Sequence, residues 1–90
     1  MSITVSIPTI LRNFTNNARS VSATGANLGE VIADLDSQFP GIAERLIEDN
    51  QLRRFVNVYV NDEDVRFLGS LNTELSDGDN VTVLPAVAGG

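Results

Sequence analysis

Residues 27–41 read NLGEVIADLDSQFPG, and their spacing decides the fold of the chain. Asn27 is a typical N-cap, and Glu30 three residues later favours a capping box beside the positive end of the helix dipole. Pro40 and Gly41 then end the helix. The apolar residues between these signals recur every three or four positions, which places them on one helix face: Leu28, Val31, Ile32 and Leu35. The sequence therefore predicts one amphipathic helix that needs an apolar surface to cover.

Stretches of alternating apolar and polar residues flank this helix on both sides. Residues 3–7 and 19–23 predict a hairpin with a long loop, and residues 55–60 are the strongest strand pattern. On that strand Val56, Val58 and Val60 share one face, while Phe55, Asn57 and Tyr59 share the other. The remaining predictions are a short helix over 42–47, a loop over 48–51, a polar turn over 61–64, a return strand over 65–67, a turn around Leu71 and Leu75, a turn over 77–79 and a last strand over 81–84.

This order of elements predicts an α+β fold in two layers. One long helix must bury its stripe against the apolar face of a mixed sheet. We therefore expect a β-grasp, or ubiquitin-like, domain, with four to five strands covered on one face by one main helix. The first and last strands lie side by side at the sheet centre in this arrangement. Residues 1–84 form the domain and residues 85–90 a flexible C-terminal tail, since 90 residues supply a single modest core.

The chemical inventory is a poor one for an enzyme. The chain has no cysteine and no histidine, which excludes a disulfide, a thiolate metal site and the commonest general base near neutral pH. Two groups of neighbouring carboxylates, residues 62–64 and the pair Asp77 and Asp79, lie in predicted turns. Neither group has the loop spacing of a hard-cation site, so we predict no bound metal. A hydrolase with paired carboxylates would need one acid in an apolar cleft, which this pattern does not provide.

The net charge and the N-terminal sequence indicate the kind of partner and the cellular location of the chain. A net charge of −6 argues against a nucleic acid partner and favours a partner with a basic docking surface. The first ten residues lack the pattern of a signal peptide, and no apolar run reaches the length of a membrane span. We therefore expect a soluble, cytoplasmic protein that binds neither nucleic acid nor membrane.

The last ten residues, VTVLPAVAGG, end in a thin uncharged tail. Pro85 has no N–H for a strand ladder, so residues 85–90 should leave the sheet and span at most roughly 20 Å. Ordering six residues costs about 6 to 12 kcal/mol, so the body must dock on a partner as well as the tail. The predicted docking residues are those on the outward face, at the root of the tail and along it: Phe55, Tyr59, Leu84, Pro85, Val87 and Ala88.

Six stretches of the chain are typical of one known family. They are residues 3–7 followed by Leu11 and Arg12, LGEV at 28–31, FPGI at 39–42, VYVNDE at 58–63, DGD at 77–79 and PAVAGG at 85–90. Over its whole length the chain resembles the ubiquitin-like sulfur carrier proteins of the ThiS and MoaD type, in particular the CysO-type carriers of cysteine biosynthesis.

The resemblance implies a carrier mechanism centred on Gly90, with Gly89 beside it. An E1-like enzyme uses Mg-ATP to adenylate the terminal carboxyl group, and a sulfur donor then converts it to a thiocarboxylate. The implied acceptor is a pyridoxal-phosphate (PLP) dependent cysteine synthase, and a metalloprotease later releases cysteine. The chain itself binds no cofactor in this scheme, because Mg-ATP and PLP belong to its partners.

Several alternatives stay open. Within the same class, the chain could be the small subunit of molybdopterin synthase or a thiamine sulfur carrier. The aromatic residues of the strand over 55–59 and Ala88 before the glycines count against the former. Outside this class, it could be a non-catalytic ubiquitin-like interaction module, or a protein modifier whose Gly90 is joined to lysines of its targets.

Overall fold

The computed structural model describes residues 2–53 and 56–85, with Pro85 as backbone only. In chain order the elements are β1 (Ser2–Ser6), β2 (Ser20–Thr24), α1 (Leu28–Gln38), α2 (Ile42–Leu46), β3 (Ile47–Glu48), β4 (Gln51–Leu52), β5 (Val56–Val60), β6 (Glu63–Asp64) and β7 (Asn80–Pro85), with 3₁₀ helices at Thr9–Phe14, Val65–Phe67 and Ser70–Asn72. Five strands form one sheet in the order β2-β1-β7-β5-β6, and β3 and β4 form a separate ribbon.

The first and last strands lie together at the centre of the sheet. β1 runs parallel to β7, with Val5 opposite Val81. β5 pairs with the other side of β7 in the antiparallel sense, with Val58 opposite Val83. A parallel central pair between two antiparallel neighbours, covered by one main helix, is the β-grasp arrangement, so the fold prediction is confirmed.

Helix α1 begins and ends where the sequence predicts. The Asn27 Oδ1 accepts the Glu30 N–H at 2.9 Å, and the Glu30 carboxylate accepts the Ala26 N–H at 3.1 Å. The first bond satisfies one of the free N–H groups that every helix start leaves, and the second binds the residue before the N-cap to the first turn of the helix. Neither α1 nor any other helix in the described part of the chain is long and apolar enough to cross a membrane.

The core lies between α1 and the sheet. The four apolar residues of the helix stripe are at most 3% exposed, and Ile3, Val5 and Val81 of the two central strands are at most 1% exposed. Val56, Val58 and Val60 of β5 face the same core, as their alternation predicts. Burial of these side chains, at roughly 1.5 to 3 kcal/mol each, is what joins the two layers.

Residues 48–51 are not the loop that the sequence predicts. Ile47 pairs with Leu52 and Glu48 with Gln51, so the segment is a hairpin. Asp49 and Asn50 form its two-residue turn, both with positive φ (53° and 62°). Asp and Asn are the side chains that adopt this conformation most readily, which favours tight hairpins. The polar run over residues 48–51 therefore contains parts of two short strands, β3 and β4.

The predicted return strand over residues 65–67 is also wrong. The strand that returns beside β5 is β6, where Glu63 and Asp64 pair with Val60 and Tyr59. Val65–Phe67 is a 3₁₀ helix, because the Asp64 carboxylate accepts the Arg66 N–H at 2.9 Å and turns the chain. The long loop predicted between residues 7 and 19 likewise contains a 3₁₀ helix, Thr9–Phe14, with Leu11 buried in the core.

Candidate functional site

The strand that carries the C-terminal tail is held on both sides. β1 pairs with β7 over residues 80–82 and β5 pairs with it over residues 81–85. β7 therefore extends to Pro85, one residue beyond the predicted end, and the Pro85 backbone pairs with Val56. The body therefore fixes the root of the tail. Most of the predicted site residues lie outside the described part of the chain and stay predictions: Phe55, Val87, Ala88, Gly89 and Gly90.

The turn before β7 is fixed by its two aspartates. Gly78 has a φ of 89°, which suits glycine, and lies between Asp77 and Asp79. The Asp77 carboxylate accepts the Ser2 N–H at 2.7 Å. The Asp79 carboxylate accepts the Ser76 N–H at 2.8 Å and the Asn61 amide at 3.0 Å. These carboxylates therefore act as turn and strand anchors.

The pKa of Asp79 is lowered from its ordinary value, first by the hydrogen bond from the Ser76 backbone and then by that from the Asn61 side chain. Both bonds stabilise the ionised carboxylate. A catalytic acid requires the opposite shift. Asp79 therefore stays an anion that holds the turn.

The structure brings two of the predicted docking residues to the same face of the sheet. Tyr59 is opposite Thr82, and Leu84 is opposite Asn57, so Tyr59 and Leu84 lie diagonally on adjacent strands. Both point away from the core, as the alternation predicts. Leu84 is 45% exposed, and Tyr59 is half-buried. An exposed leucine beside a tyrosine, next to the tail root, is suited to contact with another protein.

Other exposed apolar residues were not singled out from the sequence. Phe67 is 88% exposed on the second 3₁₀ helix, followed by Leu68. Ile10 is 66% exposed on the first 3₁₀ helix, directly after β1. Because β1 and β7 are parallel, Ile10 lies towards the same end of the sheet as Pro85. The run RFLG at residues 66–69 is the available signal, but the predicted return strand over residues 65–67 gives no indication that Phe67 is exposed.

A cavity of about 520 Å³ opens beside the start of β5. Nine described residues line it, and the only charged ones among them are Arg53 and Arg66. The others are Asn50, Gln51, Leu52, Gly69, Ser70, Leu71 and Asn72. No pattern in the sequence predicts a site here, because the fold brings together two segments, residues 50–53 and 66–72, to form the cavity.

Residues 5–90 match the family described as the ThiS family. The chain belongs to the ThiS family. This family member is 60% identical over 93 residues to the sulfur carrier protein CysO of Mycobacterium tuberculosis (strain CDC 1551 / Oshkosh), an alignment that covers 100% of both proteins. The predicted resemblance to ThiS-type carriers is therefore confirmed.

Two further relatives of this ThiS family member are informative. A chain in the crystal structure of the Amycolatopsis orientalis BexX/CysO complex superposes with a TM-score of 0.93 at 58% identity, covering 98% of this chain and 99% of that chain. The small archaeal modifier protein 3 of Haloferax volcanii is 45% identical over 65 residues, which cover 72% of this chain and 71% of that protein. Together with the family match, the CysO relatives support a sulfur carrier.

Proposed function

We propose that this ThiS family member is a sulfur carrier whose Gly90 carboxyl group is converted to a thiocarboxylate for delivery to a PLP-dependent cysteine synthase. The observation that carries the proposal is the 60% identity to a sulfur carrier protein CysO across the whole of both proteins. The chain acts as a protein co-substrate in this scheme. Its partners, an E1-like activating enzyme and the synthase, supply the catalysis.

The chemistry requires an activated carboxyl group. The carboxylate of Gly90 attacks the α-phosphorus of Mg-ATP on the activating enzyme, and pyrophosphate leaves. A sulfur donor then attacks the acyl carbon, and AMP leaves with the electrons of the broken C–O bond. The product is a thiocarboxylate, which is a far stronger nucleophile than the carboxylate it replaces.

The position of β7 supports this role. Its backbone is paired to β1 as far as Thr82 and to β5 as far as Pro85, so the body sets the position and direction of the chain at Pro85. The five residues after Pro85 span at most about 17 Å, which limits how deep in a partner the reacting group can lie. Leu84 and Tyr59, near Pro85, are the residues of the domain that would contact the partner and so orient the tail. Val87 and Ala88 would then contact the channel of the partner.

Intact mass spectrometry tests the proposal. The chain is incubated with Mg-ATP, sulfide and the activating enzyme of the same organism, and the expected product is heavier by about 16 Da, for one oxygen replaced by sulfur. A chain lacking Gly90 should fold with the same thermal midpoint and gain no mass. An unchanged mass under conditions that charge the CysO of Mycobacterium tuberculosis would reject the carrier function.

The acceptor is tested separately. The thiocarboxylate form is mixed with a PLP-dependent cysteine synthase and its activated serine substrate, and a carrier–cysteine adduct is expected. A metalloprotease should then release cysteine and restore the original mass. Sulfur transfer to a molybdopterin or thiazole precursor instead of this adduct would keep the carrier function but replace the acceptor.

A protein modifier is the second candidate function, and the similarity to small archaeal modifier protein 3 favours it. In this role the activated Gly90 forms an amide with a lysine of another protein. The chain contains no lysine, since all six of its cationic residues are arginines, so it offers no ε-amine for chains of itself. Tryptic fragments with a C-terminal remnant on target lysines would support the modifier role, and their absence from cells that contain the thiocarboxylate form would reject it.

A further inference from the structure

Two of the six arginines of this acidic chain face one cavity. Arg53 precedes β5 and Arg66 lies on the 3₁₀ helix that follows β6, yet both line the cavity of about 520 Å³ described above. No carboxylate is among its described lining residues. The chain has a net charge of −6, so the positive charge of this lining is opposite in sign to the net charge of the chain. Such a reversal marks a place where an anion is favoured.

The Arg66 guanidinium is held in place on one side only. Its Nη2 donates to the Val56 carbonyl at 3.3 Å and to the Asn57 Oδ1 at 2.6 Å. Within residues 2–53 and 56–85, no carboxylate lies within 4.0 Å of it. The neutral partners orient the group without neutralising it. A planar guanidinium fixed in this way is suited to bind a carboxylate through its other N–H groups.

Arg53 is also oriented by hydrogen bonds, but one of its two partners is a carboxylate. Its Nε donates to the Glu44 carbonyl at 2.7 Å, and its Nη1 pairs with the Glu48 carboxylate at 3.3 Å. The Glu48 side chain is 63% exposed, so solvent weakens this pair. Asn50, Gln51 and Ser70, which also line the cavity, carry uncharged side-chain donors. The cavity therefore offers several hydrogen bond donors to an oxyanion.

The cavity lies close to the root of the tail. The Val56 residue whose carbonyl accepts the Arg66 hydrogen bond is the residue that pairs with Pro85. The Val56 N–H in turn donates to the Arg53 carbonyl at 3.1 Å. Phe67, 88% exposed, is the next residue after Arg66. A protein that grips the tail would therefore reach the two arginines and an exposed aromatic side chain at once.

We infer that the cavity between Arg53 and Arg66 is a docking site for an acidic segment of a partner protein, with Phe67 as the neighbouring apolar contact. The acidic segment would belong to the partners that load or receive the tail, and so this inference rests on the proposed carrier function. The carboxylates of the segment enter the cavity, while the tail enters the partner. The site adjoins the outward sheet face that carries Tyr59 and Leu84, because Asn57, which accepts a hydrogen bond from Arg66, lies opposite Leu84.

Nuclear magnetic resonance titration tests this without any activating enzyme. The ¹⁵N-labelled full chain is titrated with an N-acetylated hexaglutamate peptide, with hexaglutamine as the neutral control. We expect saturable shifts of the amides of residues 50–53 and 66–72 with the acidic peptide alone. Arg66→Gln and Arg53→Gln should each weaken the affinity roughly two- to fivefold, the size expected for an exposed ion pair.

Arg19→Gln is the matched control, because it removes one positive charge from an exposed residue that does not line the cavity. It should leave the affinity unchanged. Equal losses in all three variants, or shifts spread over every arginine, would overturn the proposal in favour of general charge attraction. Inorganic phosphate that binds as well as hexaglutamate would also overturn it, since the site would then be one for small anions. Each outcome is independent of the mass assay for the thiocarboxylate.

Discussion

Asn61 donates a hydrogen bond from its Nδ2 to the Asp79 Oδ1 across 3.0 Å, although 18 residues separate them. The Asn61 Oδ1 also accepts the Asn80 N–H at 3.0 Å. The turn that ends β5 is therefore joined to the first residue of β7. Because β7 leads into the tail, this contact sets the register of the strand on which the proposed function depends.

This contact predicts a dependence of stability on pH. Hydrogen bonds from the Ser76 backbone and the Asn61 side chain lower the pKa of Asp79 below its ordinary value of 3.8. A carboxylate whose pKa is lower in the folded chain stabilises it above that ordinary value, and the contribution is lost as the pH falls through the folded pKa. We expect Asp79→Asn to reduce the slope of the unfolding free energy against pH below 3.8, measured by urea denaturation.

Asp62→Asn is the control for that measurement. Asp62 is exposed in the turn before β6 and its carboxylate makes no hydrogen bond within the described residues. Asparagine also tolerates its positive φ of 74°. The same loss of slope in both variants would contradict the role given to Asp79.

A second prediction concerns the packing of the chain against the start of α1. A Cβ on Gly25 would lie 2.7 Å from the Val31 backbone nitrogen and 2.9 Å from the Glu30 Cβ. Real Cβ atoms do not approach this closely, so the helix start must move. We expect Gly25→Ala to lower the free energy of unfolding by about 1 to 3 kcal/mol, measured by urea denaturation.

Gly29→Ala provides the comparison for Gly25→Ala. A Cβ there would lie 3.4 Å from its nearest neighbours, the Asn27 Oδ1 and the Leu71 carbonyl. Alanine is also the better helix former, so the free energy of unfolding should stay unchanged or rise by up to about 1 kcal/mol. Equal stability of the Gly25→Ala and Gly29→Ala variants would contradict the close packing of Gly25 against the helix start.

The long periodic elements could be predicted from the sequence, and the short ones could not. The stripe from Leu28 to Leu35 and the alternation over β5 are longer than one helical turn or one pleat, so their period identifies both the element and its buried face. β3, β4 and β6 have two residues each, too few for any period. Their formation depends on two-residue turns with positive φ, at Asp49 and Asn50 for β3 and β4 and at Asn61 and Asp62 for β6.

Some features of the candidate site could likewise be predicted from the sequence, and others could not. The outward direction of Tyr59 and Leu84 follows from the alternation, and the structure agrees. The cavity of Arg53 and Arg66 depends on where residues 50–53 and 66–72 meet, and these two segments are separated by β5 and β6, so no local pattern specifies it. Phe67 was placed on a strand, whereas its exposure comes from the 3₁₀ helix. The roles of Phe55, Gly89 and Gly90 stay predictions, because these residues lie outside the described ranges.

The outer edge of the sheet at β2 is covered by side chains of α1, which gives a third prediction. The Asp34 carboxylate accepts the Thr24 N–H at 3.0 Å, and the Gln38 amide donates to the Ser22 carbonyl at 3.0 Å. Open strand edges pair with other chains. We expect the double variant Asp34→Ala/Gln38→Ala to lose roughly 1 to 3 kcal/mol of unfolding free energy and to self-associate in sedimentation velocity experiments.

Ser37→Ala is the control for this edge, because Ser37 is exposed on the same helix and its side chain makes no hydrogen bond within the described residues. It should remain monomeric and as stable as the original chain. A double variant that loses stability without associating would mean that the two side chains stabilise the fold but do not protect the edge.

The last prediction concerns the outward face at the tail root. Leu84 is 45% exposed and contributes little to the core, so Leu84→Ser should change the unfolding free energy by less than about 0.5 kcal/mol. If Leu84 contacts the activating enzyme, the rate of thiocarboxylate formation at low carrier concentration should fall roughly tenfold, as for a residue at the centre of an interface. Thr4→Ser, on the same face at the opposite end of the sheet, should load at the original rate. The rates are measured by a mass spectrometric time course. Equal rates for the original chain and both variants would show that the activating enzyme does not contact Leu84, and would favour a contact at Arg66 and Phe67.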